Sequence, residues 1–228
     1  MITSPLTAQV LFHIGPVPIT EPVVVTWGLM AALTTTGLLG THKLRLDAKP
    51  VQATLELLIS AVRDQIRETM RNDPEPYLPF LATLFIFIVS ANLLALLPGV
   101  EPPTAHLETD AALAIIVFLA VHYFGVRARG LGGYLADFAK PTWIMLPLNL
   151  LSEVTRTFSL MVRLFGNIMS GVFIIGIVLS LVGLLVPIPF MALELLTGLI
   201  QAYIFTVLAM VFIGGAVGHT PSSSRSPR

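Results

Sequence analysis

Read from the N-terminus, the chain alternates long apolar runs with short polar joints. Apolar runs cover residues 22–41, 78–97 and 109–126, and a longer tract reaches from 142 to 217. About 20 helical residues cross the hydrocarbon core of a bilayer, so each of the first three runs is a candidate span. The third is slightly short and starts directly after Glu108 and Asp110, a mismatch that tilt or snorkelling absorbs. The long tract holds 39 residues between Pro147 and Pro187 with no proline among them. As one straight helix they would run ~58 Å, about twice the bilayer core. This segment is predicted to be steeply tilted or broken, with Gly166, Gly171 and Gly176 as weak points. After the Pro187-Ile188-Pro189 turn a second long helix is predicted over 190–217.

Between the first two spans the period changes character. Val51, Leu55, Leu58, Val62, Ile66 and Met70 recur at spacings of three or four, while Arg63, Asp64, Arg67, Glu68 and Arg71 take other faces. Residues 50–71 therefore read as an amphipathic helix, lying on the membrane surface or packed on the protein itself. The last residues, His219 to Arg228, are rich in Ser, Pro and Arg and read as a disordered tail. The predicted fold is all-α: a polytopic transmembrane helical protein with an interfacial amphipathic helix and a C-terminal hairpin of two long tilted helices, about 142–185 and 190–217. Residues 1–218 read as a single membrane domain.

Composition sharpens the class. Of 228 residues, 55% are hydrophobic and 11% charged, and mean hydropathy is +0.85. A water-soluble domain carries about 25% charged residues. Net charge is zero, which leaves no basic footprint for nucleic acid. Without cysteine there are no disulfides or thiolate metal sites. The first 21 residues lack Lys and Arg, so the positive region of a signal peptide is missing and the N-terminus is expected to be retained.

Basic residues also orient the chain. Eleven of the 13 fall in three segments: six from Lys43 to Arg71, then Arg127, Arg129 and Lys140, then Arg225 and Arg228. The N-terminus and loop 98–108 have none and are expected outside, with the C-terminus in the cytoplasm.

The two remaining basic residues, Arg156 and Arg163, lie inside the apolar tract. An arginine at the bilayer centre costs about 2.5–3.5 kcal/mol on insertion scales and normally faces a water-filled path or a partner. Asn149, Glu153, Arg156, Leu160, Arg163 and Asn167 follow one another at steps of four or three, a polar stripe on one helix face. Glu153 and Arg156 can pair at i,i+3, which reads as a structural ion pair. Arg163 has no carboxylate nearer in sequence than Glu153, about 15 Å away along a helix. Its counter-charge is expected from another helix or another chain. On the last helix Glu194, Gly198, Gln201 and Phe205 share a face, with Glu194 near its outer end and Gln201 two turns deeper. Together they describe half of an ion path, although Gln201 alone also suits an interhelical hydrogen bond.

At this point the motifs resemble a known family. Arg163-Leu164-Phe165-Gly166-Asn167 with Gly171, and later Gln201-Ala202-Tyr203-Ile204-Phe205, resemble the subunit-a family of F-type ATP synthases. Asn92-Leu93-Leu94 with Leu97-Pro98, and Pro102-Pro103-Thr104, agree with it, so the resemblance covers about residues 22–217. It implies a stator beside a rotating c-subunit ring, with peripheral-stalk b subunits as further partners, in a bacterial inner (plasma) membrane. Two offset half-channels would pass H+ or Na+ to the ring. By resemblance Arg163 faces the ring carboxylate, Asn167 and Gln201 flank it, and Glu194 lines the outer half-channel. Asn149, Glu153 and Arg156 form a supporting polar face. Val172 departs from the family, which often carries an acidic residue or His after this glycine. Arg127-Ala128-Arg129-Gly130 and the Glu153–Arg156 pair resemble the N-type branch, associated with sodium pumping.

No catalytic residue, metal site or cofactor is expected, since no Gly-x-x-x-x-Gly-Lys loop for nucleotide occurs. The alternative reading is a self-contained secondary transporter or channel, but such proteins often carry paired repeats, and the arginine segment has no second copy. A passive membrane anchor would leave Arg163 unexplained.

Overall fold

The computed structural model describes residues 10–14, 17–41, 50–96, 102–138, 145–182 and 186–218. It opens with a small antiparallel hairpin, β1 (Val10–Ile14) and β2 (Val17–Thr20), bulged between Val10 and Phe12. No element was expected there. Helices α1 (Glu21–Thr41), α2 (Pro50–Met70), α3 (Leu78–Leu93), α4 (Leu107–Phe138), α5 (Met145–Val182) and α6 (Pro187–Val217) follow. Pro22, Pro50, Pro79 and Pro187 each stand in a first helical turn, where a missing N–H interrupts no intrahelical bond and the fixed φ suits a helix. The expected tail 219–228 lies outside the described residues.

Among the described residues three helical stretches are long and apolar enough to cross a membrane: Leu107–Tyr134, Met145–Leu181 and Pro187–Val217. α3 is shorter, at 16 residues, and is extended by a 3-10 turn over Leu94–Leu96. α1 carries the polar run Thr34 to Thr36, whose hydroxyls donate to backbone carbonyls of their own helix. That satisfies each hydroxyl without water.

α6 is the hub. Ala202, Phe205, Ala209, Met210 and Ile213 are buried along it, packed among α2, α3, α4 and α5. The amphipathic α2 turns Val62, Ile66 and Met70 into this core, so its apolar face meets protein. Tyr203 on α6 also donates its hydroxyl to Gln65 of α2 at 3.1 Å.

α4 runs well past the apolar stretch 109–126 because Gly130 (φ 73°) re-aims the chain without ending the helical segment. The following turn folds back, and the Tyr134 ring fills the space beside Gly125 and meets the edge of His122 at 5.8 Å. α5 continues unbroken through Gly166, Gly171 and Gly176. Its 38 residues extend ~57 Å, so of the two options for this tract, tilt is the one compatible with the geometry. Only 11% of its most apolar stretch is buried, against 44% in α6. Most of α5 therefore faces outward from the bundle.

Candidate functional site

Helices α5 and α6 run antiparallel: Gly171 abuts Glu194, Leu160 and Arg163 line a groove with Leu208, and Arg156 reaches Phe212. Residue numbers thus fall along α6 as they rise along α5, which puts Gln201 within about one turn of the Arg163 level.

The predicted polar stripe of α5 divides on folding. Leu160, Leu164 and Ile168 point inward and are buried, with Asn149, Glu153 and Asn167 half-buried beside them. Arg156 and Arg163 lie exposed along the outer margin. The division follows from the 3.6-residue period: steps of four and three zigzag across about 80° of the helix, leaving Arg156 and Arg163 on one side of the stripe and Glu153 and Leu160 on the other. Around Arg163 the exposed residues include the apolar Phe158 and Val162 as well as the small polar Thr155 and Ser159. Among the described residues Arg163 forms no ion pair.

Arg163 opens onto a groove of about 480 Å³ between α5 and α6, lined also by Ser152, Thr155, Arg156, Ser159, Leu208 and Phe212. A second, more polar cavity of about 330 Å³ adjoins it and brings in Arg129, Tyr134, Asn149 and Glu153. The two share Ser152, Arg156 and Phe212. A polar path therefore leads from Arg163 toward the α4 kink and the C-terminal end of α6. Arg156 sits at the junction, 3.7 Å from Glu153 and with its guanidinium 5.5 Å from the centre of the Phe212 ring. The long ion-pair distance and half-exposed arginine make this pair a loose one.

On the other side Glu194 is half-buried and Gln201 is 6% exposed. Among the described residues Glu194 Oε1 and Gln201 Nε2 have no hydrogen-bond partner. Glu194 sits where Gly171 leaves room: a Cβ on residue 171 would come within 2.5 Å of its Oε1. Below it Gly198 admits Asn92 of α3, whose Nδ2 donates to the Gly198 carbonyl at 2.8 Å while its Oδ1 accepts from Thr104 at 3.0 Å. Asn92 and Thr104 were visible in the sequence only as motif positions. Their burial and mutual bond come from α3 ending against α6.

A protein-family model described as ATP synthase A chain matches residues 23–214. The chain belongs to the ATP synthase A chain family. Among similar A chains, ATP synthase subunit a 2 of Bradyrhizobium sp. is 64% identical over 218 residues, covering 96% of this chain and 98% of its own length. ATP synthase subunit a of Albidiferax ferrireducens is 49% identical over 204 residues, covering 89% and 88%. ATP synthase subunit a 2 of Pelobacter propionicus is 42% identical over 222 residues, covering 97% of each. As an A chain with several spanning helices, the protein is a multi-pass membrane protein that works in a complex with other subunits.

The contact that holds the end of α6 escaped the sequence reading. Arg129 of α4 donates from Nε to the Val217 carbonyl at 2.8 Å, and Asn72 donates to the Gly218 carbonyl at 3.2 Å. Gly218 itself takes φ 73°, and a Cβ there would collide with the Arg129 guanidinium. A cation at a helix C-terminus is also favoured by the helix dipole. The sequence showed Arg129 only as one of the basic residues that orient the chain.

Proposed function

We propose that this A chain is the ion-channel stator subunit of a rotary F-type ATP synthase, a single membrane domain that offers two half-channels for H+ or Na+ to a c-subunit ring. The observation that carries the reading is Arg163, an exposed cation on a helix apolar enough to cross a membrane, with no ion pair among the described residues. A permanent charge held there needs an anion from another chain, and a carboxylate in the ring supplies one. Arginine suits the task because it stays protonated at all working pH values. It would stabilise the ring carboxylate in its ionised form and block direct leakage between the half-channels.

Asn167 and Gln201 support the contact from either side. Glu194 with Gln201 forms the outer half-channel, and the cavity lined by Asn149, Glu153 and Arg156 forms the inner one. The N-terminus then lies outside and the C-terminus in the cytoplasm, in a bacterial inner membrane, with peripheral-stalk b subunits holding the chain against rotation. Cross-linking tests the interface. Val162 is 44% exposed one residue from Arg163, and the chain has no cysteine. Val162→Cys should form a disulfide with a cysteine on the outward helix of the ring. Failure to cross-link at any ring position would remove the ring from this face.

A further inference from the structure

A buried carboxylate at the head of α4 has no part in the machinery above. Asp110 has no exposed surface, and neither of its oxygens has a hydrogen-bond partner among the described residues. It shares a face with Leu113, Ala114, Val117 and Val121, all buried, so it points into the bundle. A first-turn position brings a carboxylate some help from the helix dipole. That help is small beside the cost of burying an unpaired charge.

Asn92 fixes the depth of this residue. Its amide joins Gly198 of α6 to Thr104, just before α4 begins. From that level Asp110 lies one turn into α4 and Gln201 about one turn further along α6, while Glu194 lies one turn to the other side. Asp110, Gln201 and Glu194 each carry a buried polar atom without a hydrogen-bond partner among the described residues. Buried polar atoms are almost always satisfied by protein or water, so unpaired groups on α4 and α6 within about a turn of the Asn92 level point to water between these helices. The oxygens open to a cation are those of the Asp110 and Glu194 carboxylates, hard donors that suit a proton or a hard cation.

We propose that Asp110 is a cation-binding carboxylate of the outer half-channel, holding a hydronium or sodium ion on its way between the outer surface and Gln201. This deepens the half-channel reading and rests on it.

The test uses the assembled complex in sealed vesicles whose lumen is the outer side, with ATP synthesis driven by a luminal ion pulse. Luminal pH is varied without sodium, then luminal sodium at fixed pH, and the arm in which the wild type saturates names the ion. Asp110→Asn should raise the half-saturating ion concentration severalfold and Asp110→Glu should restore it, with Glu194→Gln run in parallel. An unchanged half-saturation in Asp110→Asn beside a shifted one in Glu194→Gln overturns the proposal and leaves the half-channel standing. No shift in either variant overturns both. Where Asp110→Asn does not assemble, Asp110→Cys decides. Luminal silver ions should block flux through that variant and spare the cysteine-free wild-type chain, and an inert thiol overturns the proposal.

Discussion

Gly171 and Glu194 occupy one space: a Cβ on residue 171 would lie 2.5 Å from Oε1, 2.6 Å from Cδ and 2.9 Å from Cγ of the glutamate. The missing side chain on α5 is what lets a half-buried carboxylate stand between the two long helices. Gly171→Ala should displace Glu194 and lower stability by about 1–3 kcal/mol, the usual range for overpacking. Glu194→Ala should relieve that strain, so the double variant should be more stable than additivity predicts. Thermal unfolding of the purified complex measures all three. Additive effects would show that the two residues do not compete for the same space.

Asn92 predicts a different loss. Its side chain holds a backbone carbonyl and a hydroxyl, both in the buried interior. Asn92→Leu removes the donor to Gly198 and the acceptor for Thr104, and should cost about 1–3 kcal/mol for the groups left unpaired. Asn92→Leu with Thr104→Val should cost less than the two single changes combined, because the pair is lost only once. Denaturant titration of the complex checks it, and full additivity would argue against a coupled pair.

At the other end of α6, Gly218 combines a positive φ with the Arg129 guanidinium beside it. Gly218→Ala should cost about 1–3 kcal/mol in backbone strain and loosen the Arg129 contact. Arg129→Ala should loosen the same end without strain. Faster amide exchange over the last turn of α6 in both variants would support the clasp. Exchange at the wild-type rate would contradict it.

The loose pair on α5 leads to the opposite expectation. Arg156 and Glu153 are 3.7 Å apart, with the arginine side chain 51% exposed. A double-mutant cycle with Arg156→Gln and Glu153→Gln should yield a coupling under about 1 kcal/mol. A coupling well above that would make the pair a structural anchor.

How much of this was legible in the sequence depends on the kind of pattern involved. Apolar runs and helical periodicity exposed the all-α membrane fold, because a bilayer imposes length and polarity limits that a sequence must meet. Arg163 stood out for the same reason, as a charge in the wrong solvent with no local partner. The continuity of α5 was not legible, since glycines permit a bend without requiring one, and packing against α4 and α6 decides. Nor was the division of the polar stripe, because exposure of Arg163 beside buried Leu164 depends on where α6 lies. Asp110 and Arg129 looked like ordinary end residues of spans, and Asn92 was only a motif position. Their significance lies in tertiary neighbours, which no local period encodes.

Arg163→Ala in the fully assembled complex tests whether this arginine faces the ring carboxylate. ATP-driven ion uptake would be followed in sealed vesicles, in sodium-free and in sodium-containing buffer, with subunit content checked in the same preparation. Uptake should fall to background in both buffers while the complex stays intact. Uptake at the wild-type rate would contradict that role and leave Arg163 as a structural residue.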